Sequence, residues 1–239
     1  MRFLVELSLE NNHLDKDKNR IIISLLKSCF ETYLPDYLQE LYNKPRTKDF
    51  AFSLFLGTDA KFDREYIIIP SKKILLNFSA YEPYDGIMFY NSILNNVDKS
   101  FKYKDTQLKI EKIILKKEKP ILTEKVIFKI LSPIISRNHD GDNKTTWYYP
   151  LSEENGQEIF LRNFRVRLID RFGDACKYDL EDLKFNFNTK TVKVKNYSIE
   201  VLGNIGTIEV TAKPYILEYI YKAGVGSKNG SGFGMVDIL

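Results

Sequence analysis

Apolar and polar positions alternate over residues 2 to 9, with Phe3, Val5, Leu7 and Leu9 on one side, which is the pattern of a half-buried strand. From Arg20 the period changes. Ile22, Leu25, Leu26 and Cys29 recur at helical spacing, while Arg20, Ser24 and Lys27 form a second, partly basic stripe. Pro35 bars continuation of that helix, and residues 37 to 42 read as a further short helical segment, followed by the basic connection Lys44-Pro45-Arg46-Thr47-Lys48. Residues 50 to 56 are rich in strand formers and end at Gly57; a second strand over residues 66 to 79, broken near Pro70, completes a predicted hairpin. Residues 83 to 95 predict a helix with Ile87, Tyr90, Ile93 and Leu94 facing inward. Residues 106 to 116 alternate again through Leu108, Ile110 and Ile113. The order is β-α-β-β-α-β.

The second half repeats the scheme. Residues 126 to 131 form a strand ended by Ser132-Pro133, and a turn-like loop through Asn138, His139, Asp140, Gly141, Asp142 and Asn143 leads to an aromatic strand at 145 to 149. Ser152 is the expected N-cap of a helix, with Glu153 and Glu154 behind it for the dipole, and Ile159, Phe160, Phe164 and Leu168 mark that helix to about residue 169. Strands follow at 182 to 188, 191 to 196 and 205 to 212, and Pro214 opens a last helix to residue 221. The expectation is an α+β protein of two successive units, residues 1–122 and 123–239. No low-complexity linker separates them, so the two should pack as a rigid pair.

Composition narrows the partners. The longest apolar runs, residues 21–23 and 67–69, fall far short of the roughly 20 residues that cross a bilayer, so no membrane partner is expected. The first residues alternate and carry Glu6, unlike a secretory leader, so a cytoplasmic chain is expected. Two cysteines, Cys29 on the first helix and Cys176 in a loop-like stretch, make neither a disulfide framework nor a four-ligand zinc site. The net charge of +4 favours an anionic partner without requiring one, so clustering has to carry that argument. Lys109, Lys112, Lys116, Lys117 and Lys119 are one cluster, readable equally as the solvated face of an edge strand.

The densest signal is at the end of the chain. Gly224, Gly226, Gly230, Gly232 and Gly234 are five of the 12 glycines, within eleven residues. Main-chain amides without Cβ atoms approach phosphate oxygens closely, and Lys228 adds a mobile cation. A nucleotide P-loop fails, because Lys228 follows Ser227 and no helix follows. A dinucleotide fingerprint fails too, with only five residues after Gly234. Two readings remain: a loop gripping a polynucleotide backbone, or a glycine-rich turn feeding a last strand at 235 to 238.

The segment Gly224-Val225-Gly226-Ser227-Lys228-Asn229-Gly230-Ser231-Gly232-Phe233-Gly234-Met235-Val236 resembles the C-terminal loop, G-x-G-x-K/R-N-x-x-G-F-G-h-V, of the CRISPR-associated endoribonucleases that cut precursor CRISPR RNA at each repeat. Lys48-Asp49-Phe50-Ala51-Phe52-Ser53 resembles that family's K-x-F-T-F-S strand, and Leu131-Ser132-Pro133-Ile134 its L-S-P-I element. The resemblance implies two tandem ferredoxin-like (RRM-like, βαββαβ) domains with the glycine-rich loop at the end. It implies RNA cleavage without metal or cofactor, in which a ribose 2′-hydroxyl attacks the adjacent phosphate. Such a reaction calls for a base, an acid for the departing 5′-oxygen, and cations or amides for the phosphorane charge. The implied partners are CRISPR repeat RNA and other subunits of an RNA-guided complex; a second copy of the chain is a further candidate.

The chain departs from the family where a histidine usually precedes the K-x-F strand; Gln39, Tyr42, Lys44, Arg46 and Lys48 stand there instead. Only Lys48 carries over, as the residue to stabilise phosphate charge or protonate the leaving oxygen. Tyr42 is a candidate to hold the 2′-hydroxyl, although a phenol is a poor base at neutral pH. His13, near Lys16, Lys18 and Arg20, and Arg46 complete the candidate catalytic set; His139 is assigned no chemistry. For RNA contacts the candidates are Arg20, Lys27, Lys44, Gly224, Gly226, Ser227, Lys228, Asn229, Gly230, Gly232, Phe233 and Gly234, with Trp147 as a further stacking surface. Cleavage by a lysine and arginine set is one expectation. A non-catalytic repeat-binding subunit and a single-stranded-RNA binder outside CRISPR are the others.

Overall fold

In the computed structural model, which describes residues 1–43, 47–139 and 146–239, the opening alternation becomes β1 (Arg2–Leu9), the central strand of an antiparallel sheet. Along the chain follow β2 (His13–Asp15), α1 (Lys18–Tyr33), α2 (Pro35–Asn43), β3 (Phe50–Phe55), β4 (Lys61–Phe62), β5 (Tyr66–Ile68), β6 (Lys73–Ala80), α3 (Pro83–Leu94), β7 (Ser100–Tyr103) and β8 (Thr106–Leu115). The sheet runs β3-β6-β1-β8 with β7 added at the edge, the order of a ferredoxin-like βαββαβ unit. Phe3, Phe30, Phe50, Phe78 and Phe89 are all buried and form its core.

Three details depart from the sequence pattern. The strand expected over 66 to 79 is two: β5 pairs with β2 and β4 in a small separate sheet, and β6 joins the main one. Pro70 cannot donate to a ladder, and the Lys72 amide closes a turn onto the Ile69 carbonyl. In β8 the apolar phase shifts between Ile110 and Ile113 because Glu111 is an extra residue in a bulge opposite Glu6 and Leu7. On α3, Ile87 and Leu94 are exposed, whereas Phe89 and Ile93 face inward. Phe89 fixes that face, with ring centroids 4.7, 4.7 and 4.5 Å from Phe30, Phe50 and Phe78, and Ile87 stands on the opposite side of the helix.

The second half contains β9 (Lys125–Ile130), β10 (Ser136–His139), β11 (Thr146–Tyr149), α4 (Glu154–Phe172), α5 (Cys176–Asp179), β12 (Lys184–Asn196), β13 (Ile199–Thr211), α6 (Pro214–Ala223), a 3-10 turn at Asn229–Ser231 and β14 (Val236–Ile238). Its sheet order, β12-β13-β9-β14, repeats the ferredoxin-like arrangement. Asn138 and His139 were expected in a turn but belong to β10, which pairs with β11; Asp140, Gly141, Asp142 and Asn143 lie outside the described residues. Ser152 does not cap α4. The Glu153 amide turns back to the Pro150 carbonyl, so the helix starts one residue later with Glu153 as N-cap. Cys176 is buried in the short α5 rather than in a loop.

The strands expected at 182 to 188 and 191 to 196 are one, β12, and the hairpin turns at Tyr197 and Ser198, both at positive φ (51° and 66°) as a type I′ turn requires. Only residues 207–211 of β13 pair with β9, so the outer part of the hairpin projects beyond the sheet. The Asp17 carboxylate accepts the amides of Tyr197 and Ser198, at 3.1 Å each, and pins the tip to the start of α1. At the other end Arg2, 6% exposed, donates to the carbonyls of Tyr221 (2.6 Å) and Val236 (3.1 Å). The two halves are thus hydrogen-bonded to each other at both ends of their contact.

Candidate functional site

A cleft of about 470 Å³ opens where the approach to β3 meets α4, the start of β10 and the glycine-rich loop. Lys48 lines it from the first half; Arg137, Arg167 and Lys228 line it from the second, against one acid, Asp170. Arg167 is paired to Asp49, and the remaining Lys48, Arg137 and Lys228 still outnumber Asp170 three to one, a field on low-dielectric walls that collects anions.

The loop lies flat on β3, and two glycines show why no side chain fits. A Cβ on Gly232, whose φ is +83°, would stand 2.6 Å from the Phe52 ring, and one on Gly230 would stand 2.8 Å from Lys48 Cδ. Asn229 holds the loop closed: its Nδ2 donates to the carbonyls of Val225 (3.1 Å) and Phe233 (3.2 Å). The amides of Lys228, Asn229 and Gly230 have no hydrogen-bond partner among the described residues. These three consecutive N–H groups sit at the cleft, where Lys228 is left-handed (φ 63°). Successive amides in such a conformation form an anion-binding concavity.

Lys48 Nζ stands 3.8 Å from the centroid of the Tyr42 ring, and Lys27 Nζ stands 4.3 Å from the same centroid. Burial, and secondarily Tyr197, pushes the Tyr42 phenol up to about 12. It therefore stays protonated and orients two ammonium groups rather than accepting a proton.

The structure gathers Lys48, Gly226, Ser227, Lys228, Asn229 and Gly230 at one cleft, with Tyr42 and Lys27 behind Lys48. It separates others from it. His13 is exposed on β2, opposite Ile68 and edge-on to Tyr66, and does not line the cleft. Arg20 lies over the Tyr197 ring at the hairpin tip, in a recess of its own. Phe233, readable from the sequence as a stacking surface or as a core plug, is 0% exposed and packs with Ile135 and Val201, so its ring has no face left for a base. Gly224, Gly232 and Gly234 are buried beneath the loop. Lys44 and Arg46 lie outside the described residues. Trp147 is 56% exposed on β11.

Sequence reasoning missed Arg137 and Arg167. Arg137 follows the L-S-P-I element by three residues, and Arg167 sits between the buried Phe164 and Leu168, one turn before Arg171. A cation inside an apolar stripe was the available signal. His139, on the same side of β10 as Arg137, bonds through Nδ1 to Thr146 Oγ1 at 2.9 Å. Burial first, then Arg137 and Lys228, hold its pKa below the ordinary histidine value.

Residues 115–238 match the family model described as CRISPR associated protein Cas6, C-terminal. Across the whole chain the fold is similar to that of a Cas6-related gene product from Pyrococcus furiosus, at 22% identity and a TM-score of 0.85, covering 100% of this chain and 98% of that one. A structure described as an RAMP protein binding different RNA substrates gives the same identity and TM-score, with 100% and 99% covered. A Cas6 product complex is 16% identical at a TM-score of 0.71, with 100% and 99% covered. At these identities the likeness is one of fold. No curated protein matches the chain.

Proposed function

The chain belongs to the CRISPR-associated Cas6 family, and from that premise we propose that it is a metal-independent endoribonuclease that cuts precursor CRISPR RNA within its repeats. Family membership carries the coarser statement, that the protein processes or binds CRISPR repeat RNA. The proposal divides the chain into ferredoxin-like domains at residues 1–122 and 123–239, with the reacting phosphate held between them.

The observation that carries the reading is that Lys48 of the first half and the loop of the second line one cleft. In the proposed reaction the ribose 2′-hydroxyl gives its proton to solvent water, its oxygen bonds to phosphorus, and the bond from phosphorus to the 5′-oxygen breaks. The departing oxygen takes a proton, leaving a 2′,3′-cyclic phosphate and a 5′-hydroxyl. Lys48 is the residue to protonate that oxygen or to balance its charge. The amides of Lys228, Asn229 and Gly230, with the Lys228 and Arg137 side chains, face the charge that develops on the phosphorane oxygens. Tyr42 holds Lys48 in place through its ring.

Labelled repeat RNA incubated in chelator tests this directly. A single cut, blocked by a 2′-deoxy sugar at the scissile position and slowed about 100-fold or more by Lys48→Ala, is the expected result. Full-rate cutting by Lys48→Ala would remove the assignment. One observation favours a second reading, a repeat-binding subunit that does not cut: among the described residues no histidine lines the cleft. Stable complex formation without product would select it.

A further inference from the structure

Lys48 and the loop amides come from opposite halves of the molecule, so something has to fix their separation. One buried guanidinium touches both sides. Arg167, on α4, is 10% exposed at its side chain. Its Nε donates to the Tyr219 hydroxyl at 2.7 Å, its Nη1 to Asn229 Oδ1 at 2.7 Å, and its Nη2 to Asp49 Oδ1 at 3.3 Å. Tyr219 donates to the same Asp49 oxygen at 2.5 Å. Burial raises the Tyr219 pKa, so the phenol keeps the proton that this bond needs.

The chain of contacts is continuous. Asp49 is the residue after Lys48, and its carbonyl accepts the Tyr81 amide at 2.8 Å, which anchors the start of β3. Asn229 lies between Lys228 and Gly230, and its two amide protons already bind the Val225 and Phe233 carbonyls. Asn19 of α1 holds the far side of the loop, donating to the Ser231 (3.1 Å) and Gly232 (3.2 Å) carbonyls. Arg167 in turn grips a residue that closes the loop and the residue next to Lys48. A planar guanidinium presents its donors in a fixed fork, so bonding both at once sets a distance as well as an attraction. An ammonium at the same place could hold only part of it.

We propose that Arg167 is a positioning residue, which sets the spacing between Lys48 and the loop amides across the cleft. This rests on the cleft being the cutting site. Misplacement by about 1 Å costs about 100-fold in rate, whereas a bound strand with many phosphate contacts tolerates it. Removing Arg167 should therefore change the chemical step more than binding.

The test uses Arg167→Met, Arg167→Lys and Asp49→Asn in the full chain, with three readouts: single-turnover cleavage at saturating protein, repeat-RNA affinity, and amide exchange in the free protein. Arg167→Met should lower the cleavage rate about 100-fold while affinity changes only a few-fold. Exchange at Gly232, whose amide bonds the Asn229 carbonyl at 3.1 Å, should accelerate about 10-fold or more. Arg167→Lys should restore part of both. Arg167→Met combined with Asp49→Asn should lose less than the product of the two single losses, because both break the Arg167–Asp49 pair. A folded Arg167→Met with the wild-type rate and exchange overturns the proposal, as does a rate loss that saturating protein abolishes. If Arg167→Met does not fold, Arg167→Lys and Asp49→Asn decide by the same two criteria. Should the wild-type chain bind repeat RNA without cutting it, the cleavage reading fails on its own, and the exchange measurement still settles whether Arg167 sets the loop.

Discussion

Replacing Gly232 by alanine adds one methyl group to the loop and separates the two explanations for its glycines. At φ +83° an alanine pays about 1–2 kcal/mol for the left-handed backbone. Its Cβ would meet the Phe52 ring at 2.6 and 2.8 Å and Asn19 Cγ at 2.9 Å, and Phe52 is 0% exposed, so the ring cannot swing into solvent. Overpacking of that kind costs about 1–3 kcal/mol. The combined loss, about 2–5 kcal/mol, is a large part of the 5–15 kcal/mol typical of a folded protein. In urea, with a slope of about 2–3 kcal/mol/M, the unfolding midpoint should fall by about 0.7–2.5 M. Gly230→Ala is the counterpart. Gly230 has no positive φ, and its new Cβ would press on Lys48 Cδ, the far part of a flexible side chain, at 2.8 Å. Phe50 Cζ at 3.2 Å must also give by a few tenths of an ångström, but no left-handed backbone is forced. The stability loss should therefore be smaller than that of Gly232→Ala while the cleavage rate falls, because the most displaced group is the lysine. A Gly232→Ala midpoint within about 0.3 M of wild type would refute the reasoning, since the loop could then not lie against β3 as closely as described.

Two further outcomes follow from the contacts between the halves and around the cleft. Arg2→Ala leaves the buried carbonyls of Tyr221 and Val236 without a side-chain donor and should cost about 2–4 kcal/mol, read as a lower thermal midpoint. His139 should titrate below the ordinary histidine value in the free protein and move upward when RNA phosphate fills the cleft. With only two histidines in the chain, a ring-proton NMR titration reads it. Because the native pKa is depressed, the neutral ring is the favoured form. Stability should fall as the pH drops through the range between the unfolded value and the native one, and His139→Asn should remove that dependence.

The regular elements were legible because each is written in local periodicity: β1, α1, β3, β9, α4 and α6 stand where the apolar spacing puts them. What failed depends on partners far away in sequence. Ile87 and Phe89 sit on opposite sides of one helix, and only the Phe30, Phe50 and Phe78 rings decide which turns inward. The break expected in β12 corresponds to Thr189, which pairs with Gly206 on the neighbouring strand, so the irregularity belongs to the partner. At the site, Lys48 and Lys228 were legible from motifs. The phenylalanine within the loop motif has a structural place instead, and a cation inside an apolar stripe marked Arg167 as unusual without showing its role, because its partners Asp49, Tyr219 and Asn229 are 118, 52 and 62 residues distant.

The last strand, β14, pairs with β9, the first strand of its own sheet, and the loop before it closes the cleft against β3. During translation the amino-terminal sheet can form on its own strands, but the carboxyl-terminal sheet lacks its edge until residue 236 has left the ribosome. Until the loop has emerged and settled on β3, the nascent chain would therefore hold Lys48 in a cleft without the amides of Lys228, Asn229 and Gly230.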